Sequence, residues 1–267
     1  MNLSASKMRS ILASRMRRRS LRKEDEKVSP VTQWLEDNSD HSVYGQLKAM
    51  TVNYCFRPHE QLMIGELADR LHVSSTPVRE ALIRLQTEAL LDTTPRRGFF
   101  AKTLNLKEMI DLARFQFVIL SSSVEHAVHR LDGATGVMPS LVPTADGEID
   151  IASMIDTLAE RPLDQPNDDV RWVEQVSVRI AALSENDVMM RAVDNVNDRT
   201  HYVRTIDLGD PERFGEVRRS IDALSSALGK KDTAAALDVL KRDLDGQIDR
   251  MPTLVKEGIN RAYSSLS

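Results

Sequence analysis

Apolar residues recur with helical spacing in two segments that follow residue 42. The first has apolar positions at i, i+4 and i+7, which predicts an amphipathic helix, and we expect Pro58 to end that element because proline lacks a backbone N–H. The second segment runs from residue 62 to residue 71 and predicts another helix. The apolar positions of the first segment are Val43, Leu47 and Met50.

A third helix is predicted to begin at Thr76-Pro77, after a short turn over residues 72–75. Proline fits the first turn of a helix because an N–H there has no helical partner. Extended runs at 90–94 and 99–102 flank the segment Pro95-Arg96-Arg97-Gly98, which is a hairpin signal. Three helices and a hairpin in one short stretch predict a compact unit. We expect the third helix to bury Val78, Ala81, Leu82 and Leu85.

The pattern after the hairpin is helical throughout. Asn105 followed three residues later by Glu108 is a capping box, and it predicts a long helix that continues to about Leu131. The segment 133–147 is rich in Gly, Pro and Thr and is predicted to be a loop. No convincing strand alternation follows. Further helices are expected at about 151–160, 168–184, 187–205, 211–228, 232–250 and 252–265.

The composition is that of a globular protein, with 41% hydrophobic and 28% charged residues. No apolar run is long enough to span a membrane, and we expect no membrane partner. Cys55 is the single cysteine, so we expect neither an intrachain disulfide nor a thiolate zinc site, and a cytoplasmic location. The net charge of -4 is uneven: residues 1–30 carry +6, residues 31–103 carry -1, and the acidic remainder would repel phosphate.

Residues 67–82 have the design of a helix-turn-helix, in which the second helix enters the major groove of DNA. Hydroxyls and free N–H groups at the start of that helix suit phosphate oxygens, and an arginine one turn later can reach a guanine edge or a phosphate. Arginines at the hairpin tip would contact the backbone or the minor groove. The predicted DNA-binding residues are Ser74, Ser75, Thr76, Arg79, Arg96, Arg97 and Gly98.

The run from residue 43 to residue 104 resembles the winged helix-turn-helix of the GntR family of bacterial regulators. The likeness rests on "LADRLHVSSTPVREALIRLQTEALL" followed by "PRRGFF". It implies that Thr76, Arg79 and the wing Arg97-Gly98 match DNA-contacting positions. Ser75 departs from the family, whose members usually have arginine there. Tyr54, His59 and Ala89 stand where relatives usually have glycine, and they would add strain if those sites need a positive φ.

The helical remainder resembles the FCD-type effector domain of the same family, with anchors at residues 169–172 and 220–244. Most relatives bind a divalent metal through one Asp and three His. Here Asp169 keeps the carboxylate, while Val173, Ile221 and Asp243 stand at the histidine positions. Aliphatic side chains cannot ligate an ion, so we expect no metal and no other cofactor.

The chain is therefore expected to be mainly α, with an N-terminal winged helix-turn-helix of three helices plus a β-hairpin wing and a C-terminal all-helical bundle. The expected division is a basic, disordered arm at 1–38, the DNA-binding domain at 39–106 and a helical effector-binding and dimerisation domain at 107–262. The arm is either a DNA contact or a plain tail.

The leading hypothesis is a homodimeric regulator, by family precedent a repressor, that binds a pseudo-palindromic DNA operator and responds to a small organic acid. Arg114, Asp169 and Arg171 are the candidate effector contacts, although the arginines could instead form internal salt bridges. The alternative is a DNA-binding regulator whose C-terminal domain has lost its ligand and serves only dimerisation or protein contact. The sequence has no phosphate loop, nucleophile elbow or paired metal-ligand motif, and we expect no enzyme activity.

Overall fold

A computed structural model describes residues 42–131, 151–161 and 168–264 of the chain. The predicted arm at 1–38 and the predicted loop at 133–147 lie outside the described residues. The first part contains three helices and three strands. In chain order they are α1 (Val43–Val52), β1 (Gln61–Leu62), α2 (Ile64–Leu71), α3 (Ser75–Thr87), β2 (Leu91–Thr94) and β3 (Gly98–Ala101).

The core of this first part is the aliphatic side of α3. All four positions expected from the sequence are buried, with Val78, Leu82 and Leu85 fully inside and Ala81 nearly so. They pack with Leu47 of α1 and with the buried side chains of α2 and the strands in one cluster. The hydrophobic effect thus fixes α3 from one side and leaves its other side to solvent.

The sheet has three strands in the order β1-β3-β2, rather than the two of a simple hairpin. β2 and β3 pair antiparallel from Leu91↔Ala101 to Thr94↔Gly98, and β1 adds Leu62↔Phe99 on the other side of β3. Leu62 therefore belongs to a strand, not to the second helix as predicted. Two residues are too few for a period-2 alternation to appear in the sequence.

Several helix ends and turns carry a left-handed residue that is not glycine. Tyr54 (φ 52°), His59 (φ 66°) and Ala89 (φ 57°) confirm that the positions flagged in the sequence need a positive φ. At the end of α3 the Leu90 N–H donates to the Leu85 carbonyl at 2.9 Å and the Ala89 N–H to the Gln86 carbonyl at 3.0 Å, which is a Schellman motif. The same pair of bonds ends α1 at Tyr54, which is why that helix stops before Pro58.

The rest of the described chain is helical. Its elements are α4 (Leu106–Leu131), α5 (Ile151–Asp156), α6 (Asp169–Ala182), α7 (Asp187–Leu208), α8 (Pro211–Gly229) and α9 (Thr233–Ser264). The expected long helix from the Asn105 cap to Leu131 is confirmed, since the Asn105 side chain accepts from the Glu108 N–H at 3.0 Å. Glu108 does not complete the capping box: its carboxylate instead binds Lys102 at 2.8 Å and Arg199 at 2.5 Å.

The predicted break at residues 250–252 is wrong, because α9 runs through Pro252. Proline removes the hydrogen bond that the Ile248 carbonyl would accept. Met251 and Val255 on either side are buried in a cluster with residues of α4 and α7 and with Leu104. Tertiary packing therefore holds the helix together across a local breaker. In the described part of the chain, no helix is long and apolar enough to cross a membrane.

Candidate DNA-binding surface and ligand cavity

The N-terminal end of α3 projects into solvent. Ser74, the N-cap, is extended and makes no side-chain cap bond, so its hydroxyl is not committed to the helix. Ser74, Ser75, Thr76 and Arg79 are all exposed, opposite the buried stripe. A helix start offers backbone N–H donors and a positive dipole end, both of which attract an anion. The structure thus brings these four predicted residues together on one surface.

The three predicted wing residues lie at the hairpin tip and are exposed. The Arg97 N–H donates to the Thr94 carbonyl at 3.0 Å, and Arg96 has φ 64°, as the third position of a type II turn requires. Gly98, at φ 95°, starts β3 in a conformation open to glycine. The Arg97 guanidinium lies 5.4 Å from the ring centre of Phe100, which orients it on the wing.

Gln61 was missed by sequence analysis although it supports the wing. Its side-chain amide donates to the Arg97 carbonyl at 2.5 Å, across the β1–β3 pairing. No local sequence motif predicts this hydrogen bond, because it depends on the pairing of the short strand β1 with β3. Within the described ranges, no ion pair joins Arg79, Arg96 or Arg97 to a carboxylate, so their charges face solvent.

A second feature is a cavity of about 120 Å³ between α4, α6, α7, α8 and α9. Most of its wall is apolar, for example Phe117, Ile180 and Leu224. Val173, Ile221 and Asp243, the three positions that the FCD likeness assigned to histidines, all line it. The structure therefore gathers these positions around one space, with two aliphatic side chains where imidazoles would bind an ion.

The three predicted effector contacts do not line this cavity. Arg114 is exposed on α4. Asp169 lies at the start of α6, where its carboxylate binds Arg161 at 2.7 Å, and Arg171 lies 3.8 Å from Asp168. The prediction of a site formed by these residues inside the bundle does not fit this placement, because the first turn of α6 points its polar residues outward. For Arg171 the alternative of a salt bridge is the one observed.

The arginines that do line the cavity are Arg204 of α7 and Arg213 of α8. Arg204 binds Glu174 at 3.0 Å, and Arg213 binds Asp207 at 3.2 Å and Glu216 at 3.1 Å. Each guanidinium still has N–H groups that these contacts do not use. The sequence carried no clear signal for these residues, because Arg204 and Asp207 share their side of α7 with other polar residues such as Thr200.

Two carboxylates, those of Asp207 and Asp243, also lie in the cavity wall. Burial raises the pKa of the Asp243 carboxyl, while a hydrogen bond from Ser220 and the charges of Arg213 and Arg250 oppose that rise. In the described part of the chain, no group of three or more His, Cys, Asp or Glu side chains is arranged to hold a metal ion. The cavity is thus an apolar space with a few polar groups at its edge.

Comparison with known proteins identifies the family of this chain. Residues 40–101 match the model of the bacterial regulatory proteins of the gntR family. The chain is 30% identical over 218 residues to the Nta operon transcriptional regulator of Aminobacter aminovorans, covering 80% of this chain and 95% of that protein. The chain belongs to the GntR family. It is therefore a DNA-binding transcriptional regulator and not an enzyme.

Solved structures share the fold of this GntR protein. The E. coli protein McbR/YncC has a TM-score of 0.55 at 20% identity, over 79% of this chain and 95% of that one. A GntR-type protein from Rhodococcus sp. RHA1 has a TM-score of 0.56 at 22% identity, over 79% and 96% of the two chains. These likenesses confirm the predicted fold class, a winged helix-turn-helix followed by a helical region.

Proposed function

We propose that this GntR regulator is a homodimeric repressor whose α3 N-terminus and wing bind a pseudo-palindromic operator. The observation that carries the proposal is the two-sided character of α3. Four aliphatic side chains fix it to the core, while Ser74, Ser75, Thr76 and Arg79 remain exposed. A helix held in this way can enter a groove without disturbing its own core.

We assign each exposed group the DNA contact that its chemistry favours. The hydroxyls and the free N–H groups at the start of α3 contact phosphates and set the position of the helix. Arg79, one turn further, has the fork geometry for the O6 and N7 atoms of a guanine. Arg96 and Arg97 contact the backbone beside the groove, where Gly98 lets the wing turn closely.

A selection from randomised duplexes, followed by affinity measurements on the selected sequence, tests this assignment. Arg79→Ala should weaken specific binding by about 1–3 kcal/mol and relax the preference at one base position. Arg97→Ala should weaken binding to all sequences and reduce the salt slope by about one. Arg218→Ala is the matched control, because Arg218 is an exposed arginine on α8, outside the DNA-binding region.

Two outcomes would contradict the proposal. One is a protein that selects no duplex over random competitor at moderate salt. The other is an Arg218→Ala loss as large as the Arg79→Ala loss, since binding would then depend on overall charge and not on α3.

The homodimer is proposed to form through the outer side of α4. Phe115 and Val118, which are 50% and 62% exposed, lie one turn apart there in a helix whose other side is core. A two-fold contact places such a patch against itself and removes both copies from water. Sedimentation of Phe115→Glu should show monomers where the unchanged protein sediments as a dimer, and an unchanged dimer would exclude this surface.

A small organic acid in the 120 Å³ cavity is proposed as the effector. A cavity of about 150 Å³ in another protein holds benzene, so the ligand is small. Its carboxylate would meet the unused N–H groups of Arg204 and Arg213. Benzoate and benzyl alcohol form a matched pair of probes, because they share an apolar body of similar size and differ in charge.

Thermal-shift measurements with the two probes decide this point. Benzoate should raise the melting temperature more than benzyl alcohol, and Arg204→Met should remove the difference. If neither benzoate, nor short aliphatic acids, nor the alcohol stabilises the protein, the alternative is favoured. The helical region would then serve only dimerisation or protein contact, in keeping with Val173 and Ile221 at the former ligand positions.

A further inference from the structure

The DNA-binding region rests on α7 through polar contacts. The Asn195 side-chain amide donates to the Glu88 carbonyl at the end of α3, at 2.8 Å. One turn away, Lys48 of α1 binds Asp198 at 2.6 Å, and both side chains are largely buried. We call this set of contacts from α7 to Lys48 of α1 and to the C-terminal end of α3 the α7 junction.

Asp194 is placed within the α7 junction, one turn before Asp198. It is partly buried, and the charges of the Asp198, Glu174 and Glu88 carboxylates all raise the pKa of its carboxyl. The charge of Lys48 opposes them. Carboxylates therefore outnumber cations around Asp194.

The carboxylates that interact with Asp194 have partners of their own. Glu88 binds Arg84 at 3.0 Å and accepts from the Tyr44 hydroxyl at 2.7 Å. Glu174 binds His201 at 2.9 Å and Arg204 at 3.0 Å, and Asp198 has Lys48. Among the residues that the structure describes, no ion pair or hydrogen bond joins the Asp194 carboxyl to another side chain.

Burial and the neighbouring Asp198 raise the pKa of Asp194 to about 7. The pKa of Asp198 is also raised, by burial, although Lys48 opposes the rise. A charged carboxyl one helical turn away in a partly dry site favours a proton on its neighbour. At neutral pH the α7 junction is thus near the point where this proton leaves.

We propose that proton binding by the Asp194–Asp198 pair holds the DNA-binding region against α7 and makes operator affinity depend on pH near neutrality. Asp194 and Asp198 are positioning residues in this account, since they act on α3 and the wing through Asn195 and Lys48. The inference rests on the proposed function in so far as operator binding is its readout.

The direction of the pH effect follows from the linkage between proton binding and docking of the DNA-binding region on α7. A carboxyl whose pKa is higher in the docked arrangement than in free solution binds a proton when docking occurs, so docking is favoured at low pH and weakens as pH rises. A docked DNA-binding region is preorganised, and less ordering is needed when it meets a half-site. Operator affinity should therefore fall as pH rises from 6 to 8, by roughly tenfold at most for one proton.

The experiment uses the full chain and a duplex selected from a randomised pool, with affinity measured by fluorescence anisotropy at constant salt from pH 6 to pH 8. Asp194→Asn keeps the shape and fixes the neutral state, so its affinity should be high and free of the pH dependence. Lys48→Met removes the facing cation, so the midpoint should move to higher pH. His201→Gln is the control for the nearby histidine, and the pH dependence should survive in it.

Hydrogen exchange of α1 without DNA gives a second readout, which separates failure of this inference from failure of the proposed function. Exchange should quicken with pH, beyond its intrinsic rate, in the unchanged protein and not in Asp194→Asn. The inference is overturned if Asp194→Asn keeps the pH dependence of the unchanged protein, or if His201→Gln alone removes it. A pH-independent α1 in the unchanged protein would overturn it even if no operator had been found.

Discussion

The DNA-binding region and the helical region of this GntR protein place arginine in opposite environments. In the DNA-binding region, Arg79, Arg96 and Arg97 face solvent, and no ion pair with a carboxylate engages them within the described ranges. In the helical region, Arg204 and Arg213 line a cavity and are bound to carboxylates at 3.0–3.2 Å. An exposed, unpaired charge adds little to folding and is available for a partner. A buried, paired charge is tied to the fold, and its loss is costly.

The largest effect should come from removing a buried partner in the helical region. Asp207 binds Arg213 at 3.2 Å and Arg250 at 3.0 Å, and its side chain is 13% exposed. Asp207→Ala leaves two arginines without that carboxylate, so we expect a loss of about 3–5 kcal/mol in unfolding free energy. Urea denaturation measures it. A loss under about 1 kcal/mol would mean that these charges are solvated, and the contrast between the two regions would fail.

A core truncation in the DNA-binding region should come next. Leu82→Ala opens a space in the centre of the α1–α3 cluster and should cost about 2–5 kcal/mol. Ile83→Ala is the matched control, because Ile83 is the next residue of α3 and is 50% exposed. Chemical denaturation of both variants gives the comparison, and equal losses would show that α3 is not held by its aliphatic side.

The contrast is sharpened by a change that should stabilise the protein. Ala89 occupies the left-handed position of the Schellman motif that ends α3. A side chain with a Cβ costs about 1–2 kcal/mol there, and glycine avoids that cost at the expense of chain entropy. We expect Ala89→Gly to raise the unfolding free energy by up to about 1 kcal/mol, whereas Ala234→Gly in α9 should lower it. A lower unfolding free energy for Ala89→Gly would show that the left-handed conformation of Ala89 is not strained.

The smallest effect on stability should be that of Arg79→Ala. Because Arg79 is exposed and has no carboxylate partner in the described part of the chain, unfolding free energy should stay within about 0.5 kcal/mol of the unchanged protein. A thermal melt in parallel with the operator measurement separates the two roles of an arginine. A large stability loss would place Arg79 in the fold and not in the DNA interface.

The sequence predicted the elements whose signals are local. The buried stripe of α3, the hairpin around Pro95 and the Asn105 cap each depend on residues within one or two turns of each other. Strand β1 was missed because its pairing with β3 spans almost forty positions of chain. The break at Pro252 was predicted from a local rule that distant packing overrides.

The two candidate sites also differ in whether their residues lie close together in the sequence. The four predicted DNA-binding residues of α3 lie within six positions of one another, and the structure exposes all four at the start of that helix. The cavity draws Arg204, Arg213 and Asp243 from three separate helices, and no spacing connects them. The FCD likeness found Val173, Ile221 and Asp243 for a different reason, namely the positions where relatives carry histidines.

Pro252 has a mechanical consequence for α9. The Ile248 carbonyl has no helical N–H to accept from, so bending costs less between residues 248 and 252 than elsewhere along this 32-residue rod. The segment before that point walls the cavity, and the segment after it brings Gly258 against Leu104, where an added Cβ would lie 2.5 Å from the leucine side chain. Leu104 lies three residues after the end of β3, so a bend of α9 at Pro252 would move the residue that packs against the chain just beyond the wing.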